Sequence, residues 1–230
     1  PLKDKLNPIT EINDFAELDI NKTSVYVVDY DMKQAEILMV SKGEAFDTKN
    51  MPLVKLHNEY FGGSMGSIVF QTLRESKALA YSVYSTYSTP REMDKSHYVI
   101  AYIGTQADKL KEAMIGMNEL LDELPEVEAN LENAKDAVIQ KIRTERITKD
   151  RVLFNYEAAK RLGYDYDSRK DIYNSIEQFD MAALTDFHNS YMSGKDYTIL
   201  VLGNKEDLDL KALGEYGEVK FLTLEDVFGY

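Results

Sequence analysis

Arg74 and Tyr81 stand seven residues apart in the run Phe70 to Ser85, Phe-Gln-Thr-Leu-Arg-Glu-Ser-Lys-Ala-Leu-Ala-Tyr-Ser-Val-Tyr-Ser. A guanidinium presents five N–H donors and a permanent positive charge, and a phenol presents one O–H donor. With the cation on the last turn of a helix and the phenol on the next strand, the two side chains can converge on one polar group. The ordinary alternative is a surface ion pair of Arg74 with Glu75 or Asp94, beside a strand tyrosine that only packs.

Other chemistry is sparse. His57, His97 and His188 are far apart, none has a second histidine or a cysteine at metal-ligand spacing, and neither His-x-x-Glu-His nor its reverse occurs. Each is expected to be a satisfied or solvent-facing histidine, and the chain is expected to hold no metal by itself. The glycine-rich run Gly62-Gly63-Ser64-Met65-Gly66-Ser67 precedes a helix, but no Lys-Ser or Lys-Thr follows, so it is a turn and helix cap rather than a phosphate loop. Asn21-Lys22-Thr23 is a glycosylation sequon of almost no specificity. Glu119, Asp122, Glu123, Glu126 and Glu128 alternate with apolar residues, the pattern of a solvated helix end and not of a calcium loop.

The elements that must position the pair follow from periodicity. Residues 1–22 form a polar lead-in containing Pro8, and 23–230 are expected to make one domain. Ser24–Tyr30 and Glu36–Ser41 are β-branched and aromatic, which predicts two neighbouring strands. Asp47–Phe61 has helical spacing with Pro52 in its first turn and a Gly62-Gly63 stop. Ser67–Lys77 is the helix that carries Arg74, capped by Ser64 or Ser67 and leading straight into a strand. Tyr81–Thr89 alternates in period two, so Tyr81, Val83, Ser85 and Tyr87 should share one face. His97–Thr105 completes a hairpin. Helices follow at 107–124, 127–147, 150–163, 172–176 and 181–192, then a fully buried strand at Tyr197–Leu202 and a short last one at Val219–Leu222. Strands, then helices, then strands again point to an α+β two-layer fold.

Composition sets the limits. The 230 residues, 44% hydrophobic, can bury one substantial core. Forty acidic against 27 basic residues give a formal charge of −13, which opposes a nucleic-acid partner. No run approaches the ~18 apolar residues of a membrane span. With no cysteine, disulfides and thiolate metal sites are excluded, while both the cytoplasm and a bacterial cell envelope or periplasm fit. Because Pro1 and not Met comes first, the chain is expected to be a processed or excised piece of something longer.

Taken whole, Asn58 to Ser85 resembles the C-terminal domain of the pitrilysin/insulinase family of zinc metallopeptidases, which includes the processing peptidases. Asn58, the large apolar Phe61, the Gly62-Gly63 turn, Leu73-Arg74-Glu75 and Leu79-Ala80-Tyr81 carry the resemblance, with the family's Arg-to-Tyr spacing. Leu153–Gly163, Ile176–Tyr191, Tyr197–Gly203 and Leu210–Val219 are similar to its closing elements. The resemblance implies a two-layer sandwich, with a mostly antiparallel mixed sheet and helices packed on one face.

It also implies half of an active site. In the family, one domain carries the zinc motif, and a second domain of the same fold closes over it and lends an arginine and a tyrosine to the peptide. Arg74 and Tyr81 match those positions. They would position the peptide and stabilise the oxyanion formed at the scissile carbonyl, while zinc and general base come from an N-terminal domain or partner subunit. The chain departs from the full pattern in lacking the zinc motif. It is therefore either the substrate-binding half of a peptidase, inactive in isolation, or a non-catalytic member that recognises peptides or scaffolds a complex. An acidic interaction domain that shares only the fold is a third possibility.

Overall fold

The computed structural model describes residues 16–229, so residues 1–15 of the predicted lead-in and Tyr230 lie outside the described residues. Residues 16–22 contain no helix or strand, yet they are tied down. Glu17 accepts from the Ser96 amide at 3.0 Å, and Asp19 accepts from Lys42 Nζ at 2.7 Å.

Six strands form one sheet: β1 (Ser24–Asp29), β2 (Gln34–Ala45), β3 (Ser82–Ser88), β4 (Ser96–Gln106), β5 (Thr198–Gly203) and β6 (Val219–Leu222), in the order β3-β4-β2-β5-β1-β6. The pairs β3–β4, β4–β2 and β2–β5 are antiparallel, while β1 runs parallel to β5 and to β6. The expected neighbourhood of β1 and β2 is thus corrected, because β5 comes between them. Only four residues join β1 to β2, but the strand that hydrogen-bonds between them lies some 160 positions downstream.

Along each strand alternate residues enter the core. Val25 and Val27, Ile37 and Met39, Val83 and Tyr87, Val99 and Ile103, and Ile199 and Val201 are all buried. Helices cover this face: α1 (Met51–Phe61), α2 (Leu110–Asp122), α3 (Glu128–Thr144), α5 (Arg169–Ser175) and α6 (Met181–Tyr191), while α4 (Val152–Arg161) buries none of its residues. Helix α1 is central, packed on β3 and against α3, α5 and α6. Two short helices close the chain, α7 (Leu210–Gly214) and α8 (Leu224–Phe228). Asp180 caps α6 through the Ala183 amide at 2.9 Å, and Thr223 with Asp226 forms a capping box on α8. The fold is α+β with a mixed sheet and helices.

The opposite face of the sheet is open. One register row crosses all six strands as Tyr84, Tyr102, Leu38, Leu200, Tyr26 and Lys220, and Leu200 is 36% exposed. Strand β5, expected to be buried on both faces, is therefore buried on one. Its unbroken apolar sequence reflects an apolar open face rather than a second helical layer.

Candidate functional site

The Asn58–Gly63 run turns α1 into a cover for the sheet edge. Asn58 Oδ1 accepts from the Tyr87 amide at 2.8 Å and its Nδ2 donates to the Tyr87 carbonyl at 3.0 Å, so one side chain imitates a neighbouring strand. The Ser85 amide donates to the Gly62 carbonyl at 3.3 Å. The approach is so close that a Cβ on Gly62 would lie 2.4 Å from the Ser85 oxygen. Ser67 does not cap the next helix through its side chain; its hydroxyl donates to the Ser64 carbonyl at 2.6 Å. From this turn the chain enters the segment that carries Arg74.

That segment, Phe70–Ser76, is π-helical rather than α-helical. Its wider turn ends with the Lys77 amide on the Thr72 carbonyl at 2.9 Å and the Leu79 amide on the Leu73 carbonyl at 2.8 Å. The passage into β3 is not direct either. Ala78 holds φ at +49°, in the left-handed region, and Lys109 Nζ donates to its carbonyl at 3.0 Å. The Leu79 carbonyl accepts from Thr105 Oγ1 at 2.6 Å, and the Tyr81 amide donates to Gly104 at 2.9 Å. The partners of this junction's backbone come from its own helix, from the end of β4 and from Lys109 just beyond it.

Arg74 and Tyr81 line one open cleft of about 350 Å³, with Gln34, Glu75, Ala78, Gln106 and Lys109. The Arg74 guanidinium carbon lies 4.7 Å over the Phe70 ring, and Nε is 3.9 Å from a Glu75 carboxylate oxygen. The latter is a loose surface contact on a half-exposed side chain. Lys109 adds a second cation to the rim.

Tyr81 departs from the expected alternation. It lies on the open side of the sheet, away from the buried Val83, Ser85 and Tyr87, because the irregular 78–81 junction shifts the phase before β3 begins. Its ring occupies the vacant side-chain position of Gly104, where a Cβ would meet Cζ at 2.6 Å. From there its hydroxyl donates to Glu36 Oε1, and Tyr102 donates to Glu36 Oε2. Tyr84 stacks on Tyr102 with ring centroids 5.2 Å apart. Burial and the Glu36 hydrogen bond raise the Tyr81 phenol well above the ordinary tyrosine range, and the same causes push Tyr102 up to about 12.

Glu36 is the site residue that sequence reasoning missed. Nothing in its surroundings, Gln34-Ala35-Glu36-Ile37, marks it beyond a charge in an apolar strand. Of the tyrosines near the pair, Tyr87 belongs to the core and stacks on His97, whereas Tyr84, Tyr98 and Tyr102 stand on the open face.

The histidines do not form a metal centre among the described residues, where no group of three or more His, Asp or Glu side chains gathers. His57 and His188 nevertheless meet, Nε2 to Nδ1 at 3.1 Å, both fully buried. His188 Nε2 lies 2.9 Å from the Leu121 carbonyl, so it carries the proton there, Nδ1 accepts, and His57 Nε2 donates. His97 contacts the Ser88 carbonyl at 2.8 Å. These are hydrogen bonds of the buried core.

A larger apolar cavity, about 480 Å³, lies elsewhere, lined by Val152, Tyr156, Leu162, Tyr164 and Arg169. On its wall Arg169 is tied up in hydrogen bonds to Asp167 and to Glu145, the latter at 3.1 Å. Among the described residues no helix is long and apolar enough to cross a membrane.

Residues 4–138 match the family described as "Peptidase M16 inactive domain". A Bacillus subtilis protein, "Uncharacterized zinc protease YmxG", is 36% identical over 108 residues, which are 45% of this chain and 25% of that protein. A peptidase M16 inactive domain from Pseudomonas fluorescens superposes with a TM-score of 0.69 at 16% identity, over 84% of this chain and 47% of the other. A protease from Helicobacter pylori gives 0.68 at 16% identity, over 86% and 48%. A chain of Complex III2 from Candida albicans gives 0.60 at 18%, over 85% and 50%. The chain thus spans about half the length of these similar structures, and a quarter of YmxG.

Proposed function

Because the chain belongs to the M16 peptidase family, as a C-terminal domain of the kind described as inactive, we propose that it completes the active site of a zinc peptidase whose metal and general base reside in another domain or subunit. Arg74 and Tyr81 meet the bound peptide and orient it, and Arg74 stabilises the negative charge that develops on the scissile carbonyl oxygen. What supports this reading is their placement on one open cleft, at the edge of an uncovered sheet face lined with tyrosine and leucine. A guanidinium without a tight carboxylate partner can turn its donors to a peptide oxygen. In a site closed to water by the second half, such a donor acts in a medium of low dielectric, where it is worth more than at a surface.

Among the described residues no cluster of side chains fits the zinc. The only close histidine pair is buried and hydrogen-bonded to itself and to Leu121. A second reading, a non-catalytic subunit that recognises peptides or scaffolds a complex, is favoured by the likeness to a chain of Complex III2. The two are separated by mixing the chain with its zinc-bearing half and following cleavage of a quenched peptide. The peptidase reading expects cleavage only in the mixture, and a loss of about a hundredfold in kcat/KM for Arg74→Ala, the usual effect of removing one oxyanion donor. Full activity in Arg74→Ala and Tyr81→Phe would sink it.

A further inference from the structure

The Glu36 carboxylate takes one phenol on each oxygen, Tyr81 on Oε1 and Tyr102 on Oε2. A tyrosine hydroxyl has a single proton to donate and two lone pairs to accept with. In this arrangement the Tyr81 proton is committed. We propose that Glu36 is a positioning residue that holds the Tyr81 proton, so that Tyr81 faces a bound peptide as an acceptor for a backbone N–H, leaving Arg74 as the donor to the carbonyl oxygen. This rests on the reading that Arg74 and Tyr81 meet a peptide, and it divides the work between them.

Three observations and a chemical argument carry it. Glu36 lies on β2 in register with Gly104 of β4, and the missing side chain of Gly104 is the slot through which the Tyr81 ring reaches the carboxylate. Tyr102 occupies the other carboxylate oxygen, so Glu36 has a second charge-assisted bond that fixes its orientation. Tyr84, stacked on Tyr102, holds that ring in place. A phenol that donates to a carboxylate is polarised and becomes a better acceptor, which suits a peptide N–H and not an oxyanion. A second negative charge beside Tyr81 would also oppose an oxyanion at the same atom. The titratable groups around the Tyr81 phenol are Glu36 on β2 and Tyr102 on β4, with Arg74, Glu75 and Lys109 on the cleft rim.

The test uses the chain assembled with its zinc-bearing half and the internally quenched peptide that this assembly cleaves fastest in a positional library. An acceptor to a substrate N–H contributes equally to ground and transition states, so Tyr81→Phe should raise KM about tenfold with kcat within about twofold. A fall of about tenfold or more in kcat at constant KM would make Tyr81 an oxyanion donor and overturn the inference while leaving the peptidase reading intact. No change in either constant would instead remove Tyr81 from the site altogether.

Glu36→Gln separates positioning from mere structure. It should raise KM in the parent and have no further effect in the Tyr81→Phe background; the same rise in both would overturn the inference. A readout free of activity is the titration of ¹³Cζ-labelled tyrosines in the chain, with Tyr81 assigned through Tyr81→Phe. Loss of the carboxylate should move the Tyr81 titration to lower pH, and an unmoved titration would count against Glu36 as its partner.

Discussion

The ring of Tyr81 lies on the bare backbone of Gly104, where a side chain as small as a methyl group would come within 2.6 Å of Cζ and 2.7 Å of the hydroxyl oxygen. The clashing atoms are the far end of a side chain, so Gly104→Ala should be absorbed by displacing Tyr81 rather than by bending β4. We expect kcat/KM of the assembled enzyme to fall to the level of Tyr81→Phe, with a stability cost at or below the ~1–3 kcal/mol typical of overpacking. Steady-state kinetics beside thermal melting checks this; an active Gly104→Ala protein would show that the Tyr81 position is not required.

The turn that precedes Arg74 is expected to be structural and costly to alter. Asn58→Ala strands the Tyr87 N–H and carbonyl at the sheet edge and should cost about 1–3 kcal/mol. Gly62→Ala drives a methyl group into the Ser85 backbone and should cost at least as much. Gly66→Ala is the control: its nearest neighbour would be Ser64 Oγ at 3.9 Å, and the change should stay within about 0.5 kcal/mol. Urea unfolding of the three variants gives the comparison, and equal midpoints for Gly62→Ala and Gly66→Ala would contradict the close packing.

The buried histidines set an acid limit. Burial holds His57 well below the ordinary histidine value, lowers His188 to about 4, and lowers His97. The unfolded chain takes up these protons near pH 6.5 while the folded chain does not, so the unfolded state binds more protons below that pH. Stability is therefore complete above about pH 6.5 and declines as pH falls toward 4, by roughly 3 kcal/mol from His188 alone. Urea midpoints between pH 4.5 and 7 should show the slope. His188→Gln, which keeps an N–H for the Leu121 carbonyl, should flatten it; a slope unchanged in that variant would assign the acid sensitivity to other groups.

Much of the fold was legible because it is local. Gly62-Gly63 after an apolar-periodic run ends α1, the alternation of Ser82 to Ser88 makes β3, and the period of 107–192 makes a helical layer. The order of turn, helix and strand from Asn58 to Tyr81 was legible for the same reason, whereas the π-helical turn and the irregular junction before β3 were not. What escaped were contacts between distant residues. Strand β5 enters between β1 and β2, His57 finds His188 at a separation of 131 residues, and Glu36 finds Tyr81 at 45. Periodicity carries no information about which strand pairs with which.

Side-chain types and short-range spacing by themselves determined the elements, the absence of a cysteine or zinc motif, and the pairing of Arg74 with Tyr81 on consecutive elements. The tertiary structure alone decided what those two side chains face. The bend between Ala78 and β3 breaks the alternation and leaves Tyr81 on the open face, and the register of β2 on β4 sets Glu36 beside the empty side-chain position of Gly104. The physical reason is that a hydrogen-bonded register aligns residues by strand order, and strand order is chosen by the burial of the whole sheet, not by any segment of it.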